Sequence, residues 1–429
     1  MKFSLKVGAL AGALLIASSF TGAYGGSSAF SEAFADSTLR VDFTFSGECA
    51  GAVPPSIAFS SLSKYKGWGG RRVNLDNKLR EGAADVTVTI MSGDTIYSNP
   101  FCTLFQEWLV SEDFSGSKAM EGTVLVPFPR DSVNINISLR DNRRATVAKA
   151  SLRVDPDDIL IADHTSGVPL PHTYVYRGDN PDSAKICVAF LAEGYTADEM
   201  PDFHRHAREA VDAILDHEPF ASLADSFDFI AIDTPSAQSG VSVPAKGIWL
   251  DTAFGSHFST FYSDRYLTTS NVRKLYDAIT STPAQHLIVL ANTEEYGGGG
   301  IFNFYTLTAA KNKMFREVVV HEFGHSFAAL ADEYFYDNDI MQDTYPLDVE
   351  PWEPNITTKV DFSSKWQKLI DEGKADLVEG GGYLSKGIWR GTNDCRMRTN
   401  KAPEFCPVCQ EAIAEIIKWY TIPLQSSAK

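Results

Sequence analysis

A His-Glu-x-x-His motif constrains this chain more than any other feature, because it specifies both a helix and a chemistry. It runs from His321 to His325 inside an apolar helical pattern that predicts a helix over residues 311–330. At about 100° per residue, histidines four positions apart lie on one helix face. Their imidazole nitrogens can then bind one zinc ion, and Glu322 between them can act as a general base. We therefore predict one zinc ion per chain, with His321 and His325 as metal ligands and Glu322 as the catalytic residue.

A third protein ligand is expected just after this helix, where Asp332 and Glu333 follow. In a continuous helix, Asp332 would lie about 10 Å beyond His325, at 1.5 Å per residue. The helix must therefore end near Ala329, and the chain must fold back. The metzincin pattern has its third ligand six residues after the second histidine, which is Ala331 here. Asp332 comes one residue later, so we favour Asp332 as the third zinc ligand and keep Glu333 as the alternative.

The first 35 residues have the layout of a secretory signal peptide and leader. Lys2 and Lys6 precede an apolar run over residues 7–17, and small residues such as Ala23 and Ala35 offer cleavage points. The run is shorter than the roughly 20 residues that a membrane span needs. We expect an exported protein, secreted, periplasmic or at the cell surface, without an integral membrane span.

The remaining chain divides into two regions that differ in their pattern of apolar and polar residues. Residues 36–160 contain short alternating apolar and polar runs with turn residues between them and no convincing helix, which indicates an antiparallel β-sandwich. From residue 161 to residue 429, strands and helices alternate, which indicates an α/β (α+β) domain. Its expected strands are 185–191, 227–232, 286–291 and 301–307, and its expected helices are 198–217, 270–279, 311–330 and 405–420. The strand near residues 301–305 is predicted to be the edge that aligns an extended substrate.

Six cysteines suit an oxidising compartment, but their pairing cannot be read from the sequence. Cys406 and Cys409 form a Cys-x-x-Cys pair that could be half of a zinc site or a redox pair. A structural zinc site needs four ligands, and the chain has no second Cys-x-x-Cys. Disulfides or buried thiols are therefore the favoured interpretation.

The charge balance bears on the choice of partner. The chain has 38 Lys+Arg and 55 Asp+Glu residues, a formal net charge of -17. This acidity argues against nucleic acid or an anionic membrane surface as the main partner. A protein or glycoprotein substrate remains the expected partner.

Several segments together resemble the IgA-peptidase family of secreted bacterial zinc metallopeptidases. They are Leu-Ala-Glu-Gly-Tyr at 191–195, Glu-Tyr-Gly-Gly-Gly-Gly at 295–300, the stretch 321–334, and Cys-Arg-Met at 395–397 with Phe-Cys-Pro-Val-Cys at 405–409. The resemblance covers roughly residues 174–420. It implies a zincin-type catalytic domain after an N-terminal β-sandwich, with an acidic third ligand at Asp332 or Glu333. Met397 resembles a metzincin Met-turn residue, which packs beneath the metal without binding it.

The sequence thus predicts an exported zinc endopeptidase that cleaves protein or glycoprotein substrates, among them immunoglobulin A or mucin-like proteins. Two alternatives stay open. One is a glycoprotein-binding protein with an inactive zinc domain, in which Trp68 and Trp108 of the sandwich would matter most. The other is a zinc amidase that acts on non-protein amides.

Overall fold

The computed structural model describes residues 27–49, 53–111, 115–180, 184–336 and 344–423. Most of the predicted signal peptide, residues 1–26, lies outside the described residues. The described part is a mixed α/β protein with seven α-helices, none of them long and apolar enough to cross a membrane. The helices are α1 (Ser27–Ala33), α2 (Leu104–Val110), α3 (Met200–Leu215), α4 (Val272–Ile279), α5 (Phe315–Ala328), α6 (Gln367–Asp371) and α7 (Pro407–Thr421).

The strands of the described chain form four sheets, and those of the first half make a β-rich N-terminal region. They are β1 (Phe34–Cys49), β2 (Ser56–Lys66), β3 (Ala84–Ile90), β4 (Thr95–Phe101), β5 (Gly116–Pro129), β6 (Val133–Arg140), β7 (Thr146–Val154) and β8 (Ala162–Asp163). Two four-stranded sheets result, in the orders β5-β1-β2-β8 and β4-β3-β6-β7. Alternate residues of β6 are buried, as expected for a strand with one face on a core. Side chains from both sheets meet in one apolar cluster.

Two local features of this region differ from the sequence prediction. Helix α2 follows β4, so the expectation of no helix is wrong; Thr103 caps it by accepting a hydrogen bond from the Gln106 N–H at 3.1 Å. Seven residues are too few for a clear helical period, which is why the pattern did not reveal it. In addition, Phe30 of α1 and Phe34 of β1 are buried in the N-terminal core, although both fall in the predicted leader.

The second half contains a six-stranded sheet in the order β13-β14-β12-β10-β11-β9. Its strands are β9 (His172–Arg177), β10 (Ile186–Glu193), β11 (Phe227–Ile232), β12 (His286–Ala291), β13 (Gly298–Ile301) and β14 (Tyr305–Ala309). The four inner strands are parallel, and β13 and β9 run antiparallel at the two edges. Every residue of β10 and β12 is buried, as is usual for strands covered on both faces.

Helices cover both faces of this sheet. Alternate residues of β10 pack with α3, α5 and α7 on one face and with α4 on the other. A small fourth sheet follows α5 in the chain and consists of β15 (Ile356–Thr357), β16 (Val378–Gly381) and β17 (Leu384–Arg390). The single predicted strand 301–307 is wrong: β13 ends at Ile301, the chain turns, and β14 begins at Tyr305. Three of the four consecutive glycines, residues 298–300, belong to the edge strand β13.

The N-terminal region contacts the larger sheet domain directly. The Arg80 guanidinium pairs with Glu415 of α7 at 2.8 Å. The backbone N–H of Cys102 donates to the carbonyl oxygen of Phe302 at 2.9 Å, in the turn between β13 and β14. These contacts place α2 beside the edge strand, and this position makes α2 a wall of the cleft described next.

Candidate metal centre

Helix α5 brings the two predicted histidines together on one face. The Nε2 atoms of His321 and His325 are 3.1 Å apart. Each Nδ1 faces a backbone carbonyl oxygen: that of Arg396 for His321 at 3.0 Å, and that of Leu330 for His325. A carbonyl can only accept, so Nδ1 carries the proton in the neutral imidazole and Nε2 presents its lone pair.

The chain folds back immediately after the helix. Ala329 has a left-handed backbone, with φ at 56°, and its N–H still bonds to the carbonyls of the last helical turn. This reversal returns Asp332 to the histidines instead of carrying it along the helix axis. Oδ1 of Asp332 lies 3.1 Å from Nε2 of His321 and 3.3 Å from Nε2 of His325.

These three atoms form a nearly equilateral triangle of groups that all act as electron-pair donors. Two ligand atoms bound at about 2.0 Å to one tetrahedral ion lie about 3.3 Å apart, and the observed separations are 3.1 to 3.3 Å. Two lone pairs and a carboxylate oxygen this close repel one another unless a cation or a proton lies between them. His321, His325 and Asp332 therefore fit a small divalent metal ion.

The pKa values of His325, Asp332 and Glu322 reflect burial and the short distances between the two histidines and the Asp332 carboxylate. Burial lowers the pKa of His325, but the Asp332 carboxylate outweighs burial and raises it to about 9. Burial also works against the Asp332 carboxylate, yet the two histidines hold its pKa well below the usual range. For Glu322, burial is the largest influence and raises the carboxyl pKa, while His321 and His325 oppose that rise.

The Glu333 carboxylate does not lie beside the two histidines. It is fully buried, 3.1 Å from Sγ of Cys409, and Asn355 donates to it at 3.0 Å. Burial, followed by the effect of Cys406, raises the Glu333 pKa to about 8. Of the two carboxylates left open by the sequence, the structure brings Asp332 to the histidines and Glu333 to a cysteine cluster.

The glycine strand β13 explains how the sheet edge approaches α5 so closely. A Cβ on Gly298 would lie 2.7 Å from Oε1 of Glu322, and one on Gly300 would lie 2.9 Å from Cβ of His325 and clash with the Glu322 carbonyl oxygen. Glycine is thus required wherever β13 faces the helix. The same contact packs the Glu322 carboxylate against the edge strand.

Both halves of the molecule line a cleft of about 940 Å³ over this centre. Its walls include Glu107 of α2, Arg265, Tyr334 and the three residues of the histidine motif, His321, Glu322 and His325. Glu107 accepts a hydrogen bond from the Tyr266 hydroxyl at 2.7 Å, and burial raises its pKa to about 7. A carboxyl group of the N-terminal region, that of Glu107, therefore contributes to the lining of the cleft.

Two family models match the chain. The one described as IgA Peptidase M64 matches residues 177–377, and the one described as Peptidase M64 N-terminus matches residues 29–151. The chain belongs to the IgA peptidase M64 family. As a member of this family it is a peptidase that acts on protein substrates, and a metal cofactor is implied. The three converging ligand atoms of His321, His325 and Asp332 are a candidate site for that metal. A comparison with curated proteins gave no match.

Two residues around the centre of this M64 peptidase, Tyr383 and Asn355, were not predicted as site residues, whereas Met397 was expected beneath the metal. Tyr383 donates a hydrogen bond to Oδ2 of Asp332 at 2.7 Å. Asn355 holds the returning loop, accepting from the Ala331 N–H at 2.7 Å and donating to its carbonyl at 2.9 Å. Met397 is fully buried against Gly324, between the two histidines on α5. Tyr383 and Asn355 carry no local sequence signal, because they reach the loop only when the fourth sheet, whose strands they adjoin, packs beside it.

Proposed function

We propose that this protein is an exported zinc endopeptidase whose second domain has a zincin-type architecture. The observation that carries the proposal is the triangle of His321 Nε2, His325 Nε2 and Asp332 Oδ1, with Glu322 next to it. Two imidazoles and a carboxylate are a usual ligand set for catalytic zinc, which keeps a fourth position for water. A bound zinc ion would polarise the scissile carbonyl and acidify its water.

The protein groups then have separate tasks. Glu322 would take the proton of the attacking water on its carboxylate and pass it to the leaving amine. The burial that raises its pKa suits this second role, since a carboxyl that holds its proton longer is a better acid near neutral pH. Tyr383 would keep Asp332 in the orientation that presents Oδ1 to the metal. Met397 would support α5 from below, in the manner of a Met-turn.

The edge strand offers a narrow docking point for substrate. The backbone of Gly298 is already paired with the loop at Arg265 and Leu267, and the carbonyl of Phe302 is taken by Cys102. Because alternate residues of a strand direct their N–H and C=O groups to the same side, Gly300 directs its own toward the cleft between these two contacts. We propose that a substrate backbone pairs at Gly300, next to Glu322, rather than along a long exposed edge.

The substrate class and the cellular location of the protein are two further parts of this proposal. The family takes its name from immunoglobulin A, and we propose a secreted glycoprotein of that kind, or a mucin-like one, as substrate. Export is supported by the charged and apolar start of the chain, residues 2–17. The two N-terminal sheets that share one core support a β-sandwich arrangement for that region.

The test uses purified protein that begins at residue 24, together with Glu322→Ala. We expect bound zinc in both proteins. Only the unsubstituted protein should cleave immunoglobulin A or mucin-type glycoproteins readily, and the cleavage rate of the variant should be about 10²-fold to 10⁴-fold lower. Glu317→Ala, on the same helix but outside the cleft lining, is the matched control and should cleave normally. Zinc binding without cleavage of any protein would contradict the peptidase assignment, and a screen of non-peptide amides would then test an amidase.

A further inference from the structure

A second group of metal-ligating side chains lies behind the first. It consists of the Glu333 carboxylate and the thiols of Cys395, Cys406 and Cys409, all buried, with one ligand atom of each within 4.8 Å of the others. The four residues come from three separate segments: the loop after α5, the turn that carries Met397, and the start of α7. The mechanism proposed above uses none of them.

The spacing of these atoms fits a metal ion better than a disulfide. Two sulfurs bound at about 2.3 Å to one tetrahedral zinc lie about 3.8 Å apart, and a sulfur and an oxygen lie about 3.5 Å apart. Sγ of Cys395 and Sγ of Cys409 are separated by 3.7 Å. Oε1 of Glu333 lies 3.1 Å from Sγ of Cys409 and 3.8 Å from Sγ of Cys406. A disulfide would require about 2.05 Å between sulfurs, and Cys395, Cys406 and Cys409 form no disulfide with one another in the described part of the chain.

The surroundings are arranged to receive negative charge on sulfur. The backbone N–H groups of Cys406 and Met397 point at Sγ of Cys395, at 3.1 and 3.5 Å. Cys406 is the N-cap of the fifteen-residue helix α7, where the positive end of the helix dipole favours a thiolate. These are features of a thiolate site rather than of three packed thiols.

Glu333 supplies a further, independent sign that something is bound here. Its side chain is fully buried, and Oε2 has no hydrogen-bond partner among the described residues. Asn355 holds the other oxygen at 3.0 Å and so fixes the carboxylate facing the sulfurs. A buried carboxylate with an unmatched oxygen is costly unless a cation or a proton neutralises it.

We propose that Glu333, Cys395, Cys406 and Cys409 bind a second metal ion in a closed, structural site. Three thiolates and one carboxylate at tetrahedral spacing select a borderline-soft divalent ion, for which zinc is the best match. The ligand set has no open position, so this ion takes no part in hydrolysis. The proposal does not depend on the peptidase activity, because none of its ligands belongs to the first centre.

The second ion would hold in place the segments that support the first centre. Glu333 directly follows Asp332, and its N–H donates to the Met397 carbonyl at 2.9 Å. Arg396, between Cys395 and Met397, gives the carbonyl that orients His321. An ion that ties Glu333 to Cys395 and α7 therefore fixes two supports of the first centre at once, and its ligands act as positioning residues.

Metal content distinguishes the two centres. Protein that begins at residue 24 is purified without chelator, and zinc per chain is measured by plasma mass spectrometry beside thiol counts on unfolded, unreduced samples. We expect two zinc ions in the unsubstituted protein, one in His321→Ala/His325→Ala and one in Cys409→Ser. The control Cys187→Ala, which removes a buried thiol far from the cluster, should keep two.

A second measurement covers the case in which Cys409→Ser does not fold. The His321→Ala/His325→Ala protein is loaded with Co²⁺ alone, and a thiolate-to-cobalt charge-transfer absorption in the near ultraviolet is expected. One zinc in the unsubstituted protein with none in the double histidine variant would overturn the proposal. So would the absence of the cobalt band, or a disulfide joining any two of the three cysteines.

Discussion

The hydroxyl of Tyr383 donates a hydrogen bond to Oδ2 of Asp332 at 2.7 Å, while Oδ1 of the same carboxylate faces both histidines. One oxygen is therefore held by the protein and the other is presented to the metal position. Tyr383 itself lies in the turn between β16 and β17 of the fourth sheet, and its backbone is in the left-handed region with φ at 71°. The loop after α5 thus depends on a residue 51 positions further along the chain.

Tyr383→Phe should weaken metal binding without unfolding the protein, because it removes only this hydroxyl. Loss of such an orienting hydrogen bond costs about 10-fold to 100-fold in metal affinity. Competition with a metal chelator at equilibrium measures the change. Tyr345→Phe is the matched control, since its hydroxyl bonds to Glu353 and not to a ligand. Equal affinities for the two variants would contradict the role given to Tyr383.

Gly300→Ala should disrupt the contact between β13 and α5. The added methyl group would meet the Glu322 carbonyl oxygen and lie 2.9 Å from Cβ of His325, so either the strand or the helix must move. We expect a loss of about 1–3 kcal/mol in the free energy of unfolding and a loss of peptidase activity. Gly381→Ala, whose new methyl group would have its nearest neighbour at 3.6 Å, should change neither. Urea denaturation and cleavage assays check both variants.

The start of the mature chain can be tested by truncation. Phe30 is 4% exposed and Phe34 fully buried, and their rings are 5.7 Å apart in the N-terminal core. Loss of a buried phenylalanine side chain costs about 3–5 kcal/mol, so a chain that begins at residue 36 should melt well below one that begins at residue 24. This favours cleavage near Ala23 over Ala35. N-terminal sequencing of the protein purified from the cells that produce it, beside matched melting curves, would decide between the two cleavage points. Equal melting temperatures would contradict this prediction.

His286 should make the protein sensitive to acid. It lies on β12 between the rings of Phe327 and Tyr420, and burial lowers its pKa to about 3. The unfolded chain binds a proton near pH 6.5, whereas the folded chain does not. Stability is therefore complete above about pH 6.5 and is lost as the pH falls toward 3.

His286→Phe should remove this contribution. Between pH 4 and pH 6, the slope of the unfolding free energy against pH should fall by about 1.4 kcal/mol per pH unit, the effect of one proton. Urea denaturation at several pH values measures that slope. An unchanged slope in the variant would show that the folded protein already carries the His286 proton.

The positions of most helices and inner strands of the second half could be predicted, because they depend on the periodicity of neighbouring residues. Helices α3, α4, α5 and α7 and strands β10, β11 and β12 lie where the 3.6-residue pattern and the short apolar runs indicate them. The meeting of His321 and His325 follows from helix geometry alone. The end of α5 near Ala329 also follows, since a ligand beyond the helix requires the chain to turn back.

Errors arose where the local pattern is ambiguous. The edge strand was expected near residues 301–305, yet it begins at Gly298, because the close approach to α5 leaves no space for a side chain at Gly298 or Gly300. Ile301 to Leu307 reads as one strand, but a turn divides it. Neither fact is visible until the helix is packed against the sheet.

The sequence by itself determined the α/β framework, the β-rich first region and the pairing of two histidines with a glutamate, because helix and strand periods are properties of neighbouring residues. Only the tertiary structure decided between Asp332 and Glu333. Adjacent residues of an extended loop direct their side chains to opposite sides, so one of them reaches the histidines and the other reaches Cys395, Cys406 and Cys409. Which one does so is set by Asn355, Met397 and Tyr383. These residues are distant in sequence and come together only when the fourth sheet and α7 pack around the loop.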